Sequence, residues 1–274
     1  MSESPLPYVH GRSDRESNRL YDQASGLGLL LHEGTRYPPG CTVLEAGCGV
    51  GAQTILLAGN SPQAQFVSID ISPESLARAQ ERVLKAGYPN VKFLQADICS
   101  MQFPAETFDH VFVCFTLEHI HNPLVALENL MTVLRPGGTI TVIEGDHGSA
   151  IFYPDTTEAH LVIDCLVILQ RQAGGNALIG RELEHLLAES GFVDIHVSPR
   201  QTYASQNIPH SSEAVKKIFI AMIEGVREQA IAAGLADPDA WDRGVRDLYR
   251  TTEKNGMFCY TFFKAIGRKG LQIR

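Results

Sequence analysis

Residues 43–53 read VLEAGCGVGAQ, an apolar run, a glutamate, and then three glycines within five positions. So short an apolar run suits a strand buried on both faces, and glycines at its end permit a tight turn into a helix. With no Cβ in the way, ligand atoms can approach the main-chain N–H groups of such a turn. In an open parallel sheet the turn lies at the carboxyl edge, where ligands bind. Two ligand classes stay open at this point: a dinucleotide that carries hydride, and a nucleoside-bearing methyl donor. The run even satisfies the dinucleotide pattern G-x-G-x-x-A through Gly47, Gly49 and Ala52.

Outward from this stretch, strands and helices alternate. The segments TVLEA (42–46), FVSID (66–70), VKFLQA (91–96), HVFVCF (110–115) and TITVIEG (139–145) read as strands, with helices at 51–59, 73–87 and 122–134 between them. Ser72 and Pro73 form an N-cap and first-turn pair, and RPGG ends the third of these helices. Buried strands alternating with amphipathic helices imply right-handed crossovers and a doubly wound, mostly parallel sheet of the α/β class. A helix is also expected over 13–33, with Ser13 as cap, Glu16 three residues on, and Leu20, Ala24, Leu27 and Leu31 on one face. After residue 150 the rhythm changes. Helices at 156–173 and 180–190 precede a strand at 193–199, and two more, near 211–233 and 238–253, precede a last strand at 258–268. The expected organisation is a 1–36 N-terminal segment, a 37–150 core, a 151–203 stretch ending in the sixth strand, a 204–256 helical insertion acting as a lid, and a 257–274 final strand and tail.

The bulk composition narrows the function classes. The formal net charge of −8 argues against a sequence-independent grip on nucleic acid phosphates. The six cysteines are scattered without a C-x-x-C pair, several inside apolar runs, and read as reduced core residues of a cytoplasmic protein; no metal is expected. The polar N-terminus lacks the apolar stretch of a signal peptide, and no run approaches the ~20 apolar residues that span a membrane. A homodimer is compatible with the sequence.

Three acids separate the two ligand classes. Glu45 stands just before the turn, where a carboxylate repels a pyrophosphate yet can orient a cationic ammonium. Asp70 closes the second strand, where it can take both hydroxyls of a ribose with either ligand. Asp97, followed by Ile98, offers an acid to an adenine amino group and an apolar side chain to its face. Alone, each acid reads equally as a cap or a solvated loop residue; three at successive strand ends form a pattern.

The runs VLEAGCGVG, VSIDIS, LQADI, FDHVFVCFTLEHI and LRPGGTITVIEGD, in this order and spacing, resemble the successive motifs of class I S-adenosylmethionine-dependent methyltransferases. The resemblance spans about residues 40–146 and is nearest to the branch of the ubiquinone and menaquinone methyltransferases and related small-molecule enzymes. It implies a Rossmann-like sheet of seven strands with the last antiparallel, S-adenosylmethionine as cofactor and a small-molecule methyl acceptor. It also implies that Glu45, Gly47 and Gly49 surround the methionine part, with Gln53 nearby. Asp70 would bind the ribose with Ile71 against the adenine, and Asp97 and Ile98 would flank the adenine. Phe115 and Thr116 would face the sulfonium and the nucleophile. The NPPY-type tetrad of many DNA and protein amide methyltransferases is absent here, where the sequence reads CFTL. In related enzymes an N-terminal segment folds over the cofactor, so Tyr8 and Arg12 are candidates to clamp its carboxylate; the alternative is a plain surface tail.

Methyl transfer from a sulfonium is an in-line displacement in which the protein mainly aligns the partners and excludes water. A base is needed only when the nucleophile arrives protonated. The candidates are Glu118, His119 and His121 in LEHIHN, and Glu144, Asp146 and His147 in EGDHG, of which His119, Glu144 and His147 are the expected catalytic set. The alternative is that the histidines brace the next helix and that EGDHG is a hydrogen-bonded turn. The glycine spacing alone would suit an NAD(P)-dependent oxidoreductase, and a non-catalytic cofactor-binding regulator is the remaining class.

Overall fold

The computed structural model describes residues 27, 28, 30–205, 211–251 and 253–271. Tyr8, Arg12 and most of the helix expected over 13–33 lie outside them; residues 27, 28 and 30–32 are helical.

Strand β1 (Thr42–Ala46) runs into the glycine turn and helix α1 (Ala52–Asn60). Strand β2 (Gln65–Asp70) leads to helix α2 (Pro73–Lys85), whose cap is Ser72, its hydroxyl accepting from the Ser75 N–H at 3.2 Å. Next come β3 (Val91–Gln95), β4 (Phe108–Cys114), helix α3 (Pro123–Val133) and β5 (Leu134–Gly145). The second half holds β6 (Ile151–Tyr153), α4 (Thr157–Gln172), α5 (Leu183–Glu189) and β7 (Val193–Ser205). Helices α6 (Ser211–Gly225), α7 (Arg227–Ala232) and α8 (Pro238–Arg250) precede the last strand, β8 (Met257–Arg268).

Among the described residues these strands form one sheet, in the order β3-β2-β1-β4-β5-β8-β6 with β7 paired to the other edge of β8. Strands β1 to β5 pair in parallel, and β8 is antiparallel to β5, β6 and β7. The doubly wound, mostly parallel α/β fold is therefore present, with eight strands where seven were expected. The additional strand is β6, whose three residues pair with Met257–Cys259 and prolong the edge that β5 occupies along Phe262–Arg268. A three-residue run carries too little pattern to be seen in sequence; the length of β8 creates the strand. Strand β5 also begins earlier than expected, because Leu134 already pairs with Phe108 while Thr139 pairs with His110, and the RPGG residues between them bulge out. Gly137 takes a φ of 78°, and a Cβ on Gly138 would stand 2.7 Å from the Asp109 carbonyl oxygen. The helix expected over 211–233 is broken between Gly225 and Arg227.

The alternation of side chains along each strand builds two apolar layers. On one face Val43, Phe66, Phe112 and Ile143 meet Leu57 of α1, with Val162 and Leu166 of α4, Phe219 and Ile223 of α6, and Trp241 of α8 in the same layer. On the other, Leu44, Ile69, Val111 and Val142 meet Leu127 and Leu130 of α3 and Leu183 and Leu187 of α5. Helix α8 crosses α4 closely enough that a Cβ on Gly244 would stand 2.2 Å from the Glu158 carbonyl oxygen. All six cysteines are free thiols. Among the described residues no helix is long and apolar enough to cross a membrane.

Candidate active site at the carboxyl edge of the sheet

Strand β1 delivers Glu45 and the glycine turn to the carboxyl edge. The N–H groups of Gly47 and Cys48 both donate to the Ile69 carbonyl at 2.9 Å, which folds the turn back over β2. Gly47, Gly49 and Gly51 take φ values of 78°, 52° and 78°, conformations that side chains disfavour. Their surroundings differ. A Cβ on Gly47 would meet the Thr116 hydroxyl at 2.3 Å, and one on Gly51 would meet Ala79 Cα of α2 at 2.9 Å. A Cβ on Gly49 would meet nothing within 4 Å among the described residues. Gly47 and Gly51 are therefore required by the protein's own packing, whereas no described residue crowds Gly49.

Glu45 is buried, and its Oε2 accepts from the hydroxyls of Thr54 on α1 at 2.7 Å and Ser68 on β2 at 2.6 Å. Its Oε1 is buried without a partner among the described residues. Burial pushes its pKa up to about 7; the two hydroxyls pull it down, and the nearby Asp70 charge adds to the rise. Asp70 holds the turn together, with Oδ2 accepting from the Gly49 N–H and Oδ1 from the Ser72 N–H, both at 2.8 Å. Carboxylate oxygens have further lone pairs, so these bonds leave room for a ligand hydroxyl. Glu45, Gly47, Gly49 and Asp70 thus stand at one place.

The other expected residues spread from there. Ile71 is half exposed beyond β2. Asp97 caps its own loop, accepting from the Cys99 N–H at 2.8 Å and the Ser100 hydroxyl at 3.2 Å, and Ile98 is buried in the core of the second face. Gln53 is held by His32, whose Nε2 lies 2.6 Å from its Oε1. Phe115 takes a φ of 52°, a strained conformation for a phenylalanine, maintained by its N–H on the Ile143 carbonyl at 2.9 Å and by its ring against Phe262.

Beyond β4 and β5 a second polar group gathers. Glu144 is fully buried, and its Oε1 accepts from the N–H groups of Thr116 at 2.9 Å and Leu117 at 2.8 Å. Its Oε2 is buried without a partner among the described residues. Burial, reinforced by the Glu118 carboxylate, raises its pKa well above the usual carboxylate range. Glu118 accepts from Gln170 Nε2 of α4 at 3.2 Å and lies 3.5 Å from His119 Nε2, while His121 is exposed. Asp146 receives Arg181 through Nε at 2.7 Å and its Nη2 at 2.8 Å. His147 is buried with Nδ1 2.7 Å from the Tyr260 hydroxyl, under Phe219 of α6. His119, Glu144 and His147 consequently stand in one region but in different settings: a carboxylate neighbour, a backbone turn and a tyrosine. Among the described residues no three histidine, cysteine or acidic side chains gather as metal ligands.

His32, Thr54, Ser68, Gln170, Arg181 and Tyr260 were not singled out from the sequence. Ser68 and Thr54 had a weak signal, each a hydroxyl inside an apolar run. The partners from distant segments had none.

The buried Oε1 of Glu45, without a partner among the described residues, fits a ligand that brings a cationic donor, and a carboxylate there does not suit a pyrophosphate. Residues 38–191 match the model of a methyltransferase domain family. An uncharacterised methyltransferase of Schizosaccharomyces pombe is 30% identical over 217 residues, covering 74% of this chain and 73% of that one. The malonyl-[acyl-carrier protein] O-methyltransferase of Paenibacillus is 28% identical over 173 residues, and the chain spans 60% of its length. The demethylmenaquinone methyltransferase of Bacillus licheniformis is 29% identical over 153 residues, and the chain spans 65% of it, again under two thirds. In fold, 98% of this chain superposes on 62% of the phosphoethanolamine N-methyltransferase 2 of Haemonchus contortus, with a TM-score of 0.58 and 19% identity.

Proposed function

Because the chain belongs to the methyltransferase domain family, we propose that it transfers a methyl group from S-adenosylmethionine to a small-molecule acceptor by in-line displacement. The observation that carries the identity of the donor is the buried Glu45 carboxyl, with one oxygen held by Thr54 and Ser68 and the other unpartnered among the described residues. In this reading Glu45 takes the ammonium of the methionine part, Gly47 and Gly49 bare the backbone, and Asp70 takes the ribose hydroxyls. Ile71, Asp97 and Ile98 line the adenine, and Tyr8 and Arg12 close on the carboxylate. The donor supplies a methyl group already activated by a positive sulfur.

What the chain itself contributes is alignment. The strained Phe115 and the Thr116 wedged against Gly47 form the wall at which donor and acceptor meet. Segment 1–36 and the 204–256 insertion, with Phe219 edge-on to His147 and tilted against Tyr260, exclude water from it. A protonated nucleophile would hand its proton to His119, whose charge the adjoining Glu118 stabilises; His147 is the second candidate. Glu144 stands at the same edge and orders the turn after β4. The compartment proposed is the cytoplasm, in keeping with six free thiols.

Isothermal titration tests the donor: micromolar binding of S-adenosylhomocysteine with none of NADH is expected, and the reverse result would overturn it. A screen of amines and phenols with labelled S-adenosylmethionine then tests the acceptor class, and labelling only of macromolecules would exclude a small-molecule substrate.

A further inference from the structure

His32 belongs to the end of the N-terminal helical segment, far in sequence from the glycine turn. Its imidazole is buried, stacked on the Phe112 ring with centroids 5.5 Å apart and 25° between planes. Nε2 lies 2.6 Å from Gln53 Oε1 on the first turn of α1, and Nδ1 is buried without a partner among the described residues. A doubly protonated ring would bury an uncompensated N–H at Nδ1, so the ring is neutral and carries its proton on Nε2, donating to Gln53. Burial lowers the pKa of His32, and the Lys264 ammonium acts in the same direction, while the bond to Gln53 opposes them.

The backbone carrying His32 is fastened on its other side. Lys264 of β8 donates from Nζ to the Glu33 carbonyl at 2.8 Å and to the Thr35 hydroxyl at 2.6 Å, and Arg200 of β7 pairs with the Glu33 carboxylate. The imidazole is thus the fixed member of the pair and Gln53 the adjustable one. With Oε1 occupied, the amide of Gln53 has one remaining orientation, its Nε2 donors turned away from the ring. Gln53 stands two residues beyond Gly51 and next to Thr54, the residue that holds Glu45. A free glutamine there would lose rotamer freedom on meeting a ligand.

We propose that His32 is a positioning residue for the methyl donor: it holds the Gln53 amide ready to donate to the methionine part of the ligand. The inference rests on the methyl-donor reading above and extends it to a residue that touches no ligand. The probe is S-adenosylhomocysteine, titrated calorimetrically into the full chain, with melting temperatures measured in parallel. His32→Ala and Gln53→Ala should each weaken binding about tenfold, the effect of losing one hydrogen bond or its preorganisation. His32→Gln, which keeps a donor at the place of Nε2, should recover most of the affinity. The double variant should bind no more weakly than Gln53→Ala alone. Unchanged affinity in His32→Ala, additive losses in the double variant, or a folded His32→Gln as weak as His32→Ala would each overturn the proposal. If the unaltered protein binds no S-adenosylhomocysteine, the methyl-donor reading falls instead, a result distinct from all of these.

Discussion

A carboxyl group buried as Glu45 is keeps its proton to about pH 7. Its pKa in the folded chain lies above the unfolded value, so its proton stabilises the empty protein fully below about pH 4.5, and that contribution is lost as pH rises through about 7. A cationic ligand at Oε1 favours the ionised form and displaces the proton. S-adenosylhomocysteine binding at pH 6 should therefore release close to one proton and tighten about tenfold per pH unit until about pH 7. Calorimetry in two buffers of different ionisation heat measures the release; none, or uptake, would remove Glu45 from the ammonium. Glu45→Gln should abolish the release and flatten the part of the melting-temperature profile that Glu45 causes. Asp70→Ala should weaken binding by about 1–3 kcal/mol, and unchanged affinity in a folded variant would sink the ribose placement. At this scale the sequence was readable where a residue ends a strand: Glu45, Asp70 and Asp97 announce themselves by position. It offered Gln53 and Glu144 as candidates but was silent on what holds them, because their partners, His32 and the N–H groups of Thr116 and Leu117, come from 21 or more residues away.

Among the elements, the glycine turn separates packing from binding. Gly51→Ala adds a left-handed side chain and drives a methyl into Ala79, so chemical denaturation should show a loss of about 2–4 kcal/mol. Gly49→Ala meets no described residue, so it should lose only about 1–2 kcal/mol from its backbone conformation while losing most of its S-adenosylhomocysteine affinity. Equal stability losses would refute the distinction. The turn after β4 offers a second test. Glu144→Ala leaves two N–H groups without their acceptor and should be destabilised by about 2–4 kcal/mol. Glu144→Gln keeps the acceptor oxygen and should retain near-normal stability. If its turnover is also retained, Glu144 takes no proton in the reaction; if turnover collapses, it does. The alternating elements themselves were legible because their period and caps are local, as at Ser72-Pro73. Strand β6 and the early start of β5 were not, since both arise from pairing with β8 and β4 rather than from their own residues.

For the molecule as a whole, the insertion is bound into the core layer on one face of the sheet through Phe219, Ile223 and Trp241. Gly244→Ala would press a methyl against the Glu158 carbonyl and Val162 Cγ1 of α4, prising α8 away at about 1–3 kcal/mol. A single cooperative melt at lower temperature is the expected calorimetric trace; two separate transitions would mean the insertion unfolds independently. The resemblance that spans residues 40–146 left this half unread, because no motif there marks which face a helix covers. Trp241 is the one tryptophan of the chain and lies almost wholly buried within α8. Its consequence is spectroscopic. Under excitation selective for indole, all 274 residues emit from one point in that insertion. A titration followed by this emission therefore reports on the packing of the insertion and not on the glycine turn. A ligand that releases heat without changing the spectrum has bound with the insertion at rest, and one that changes both has moved it.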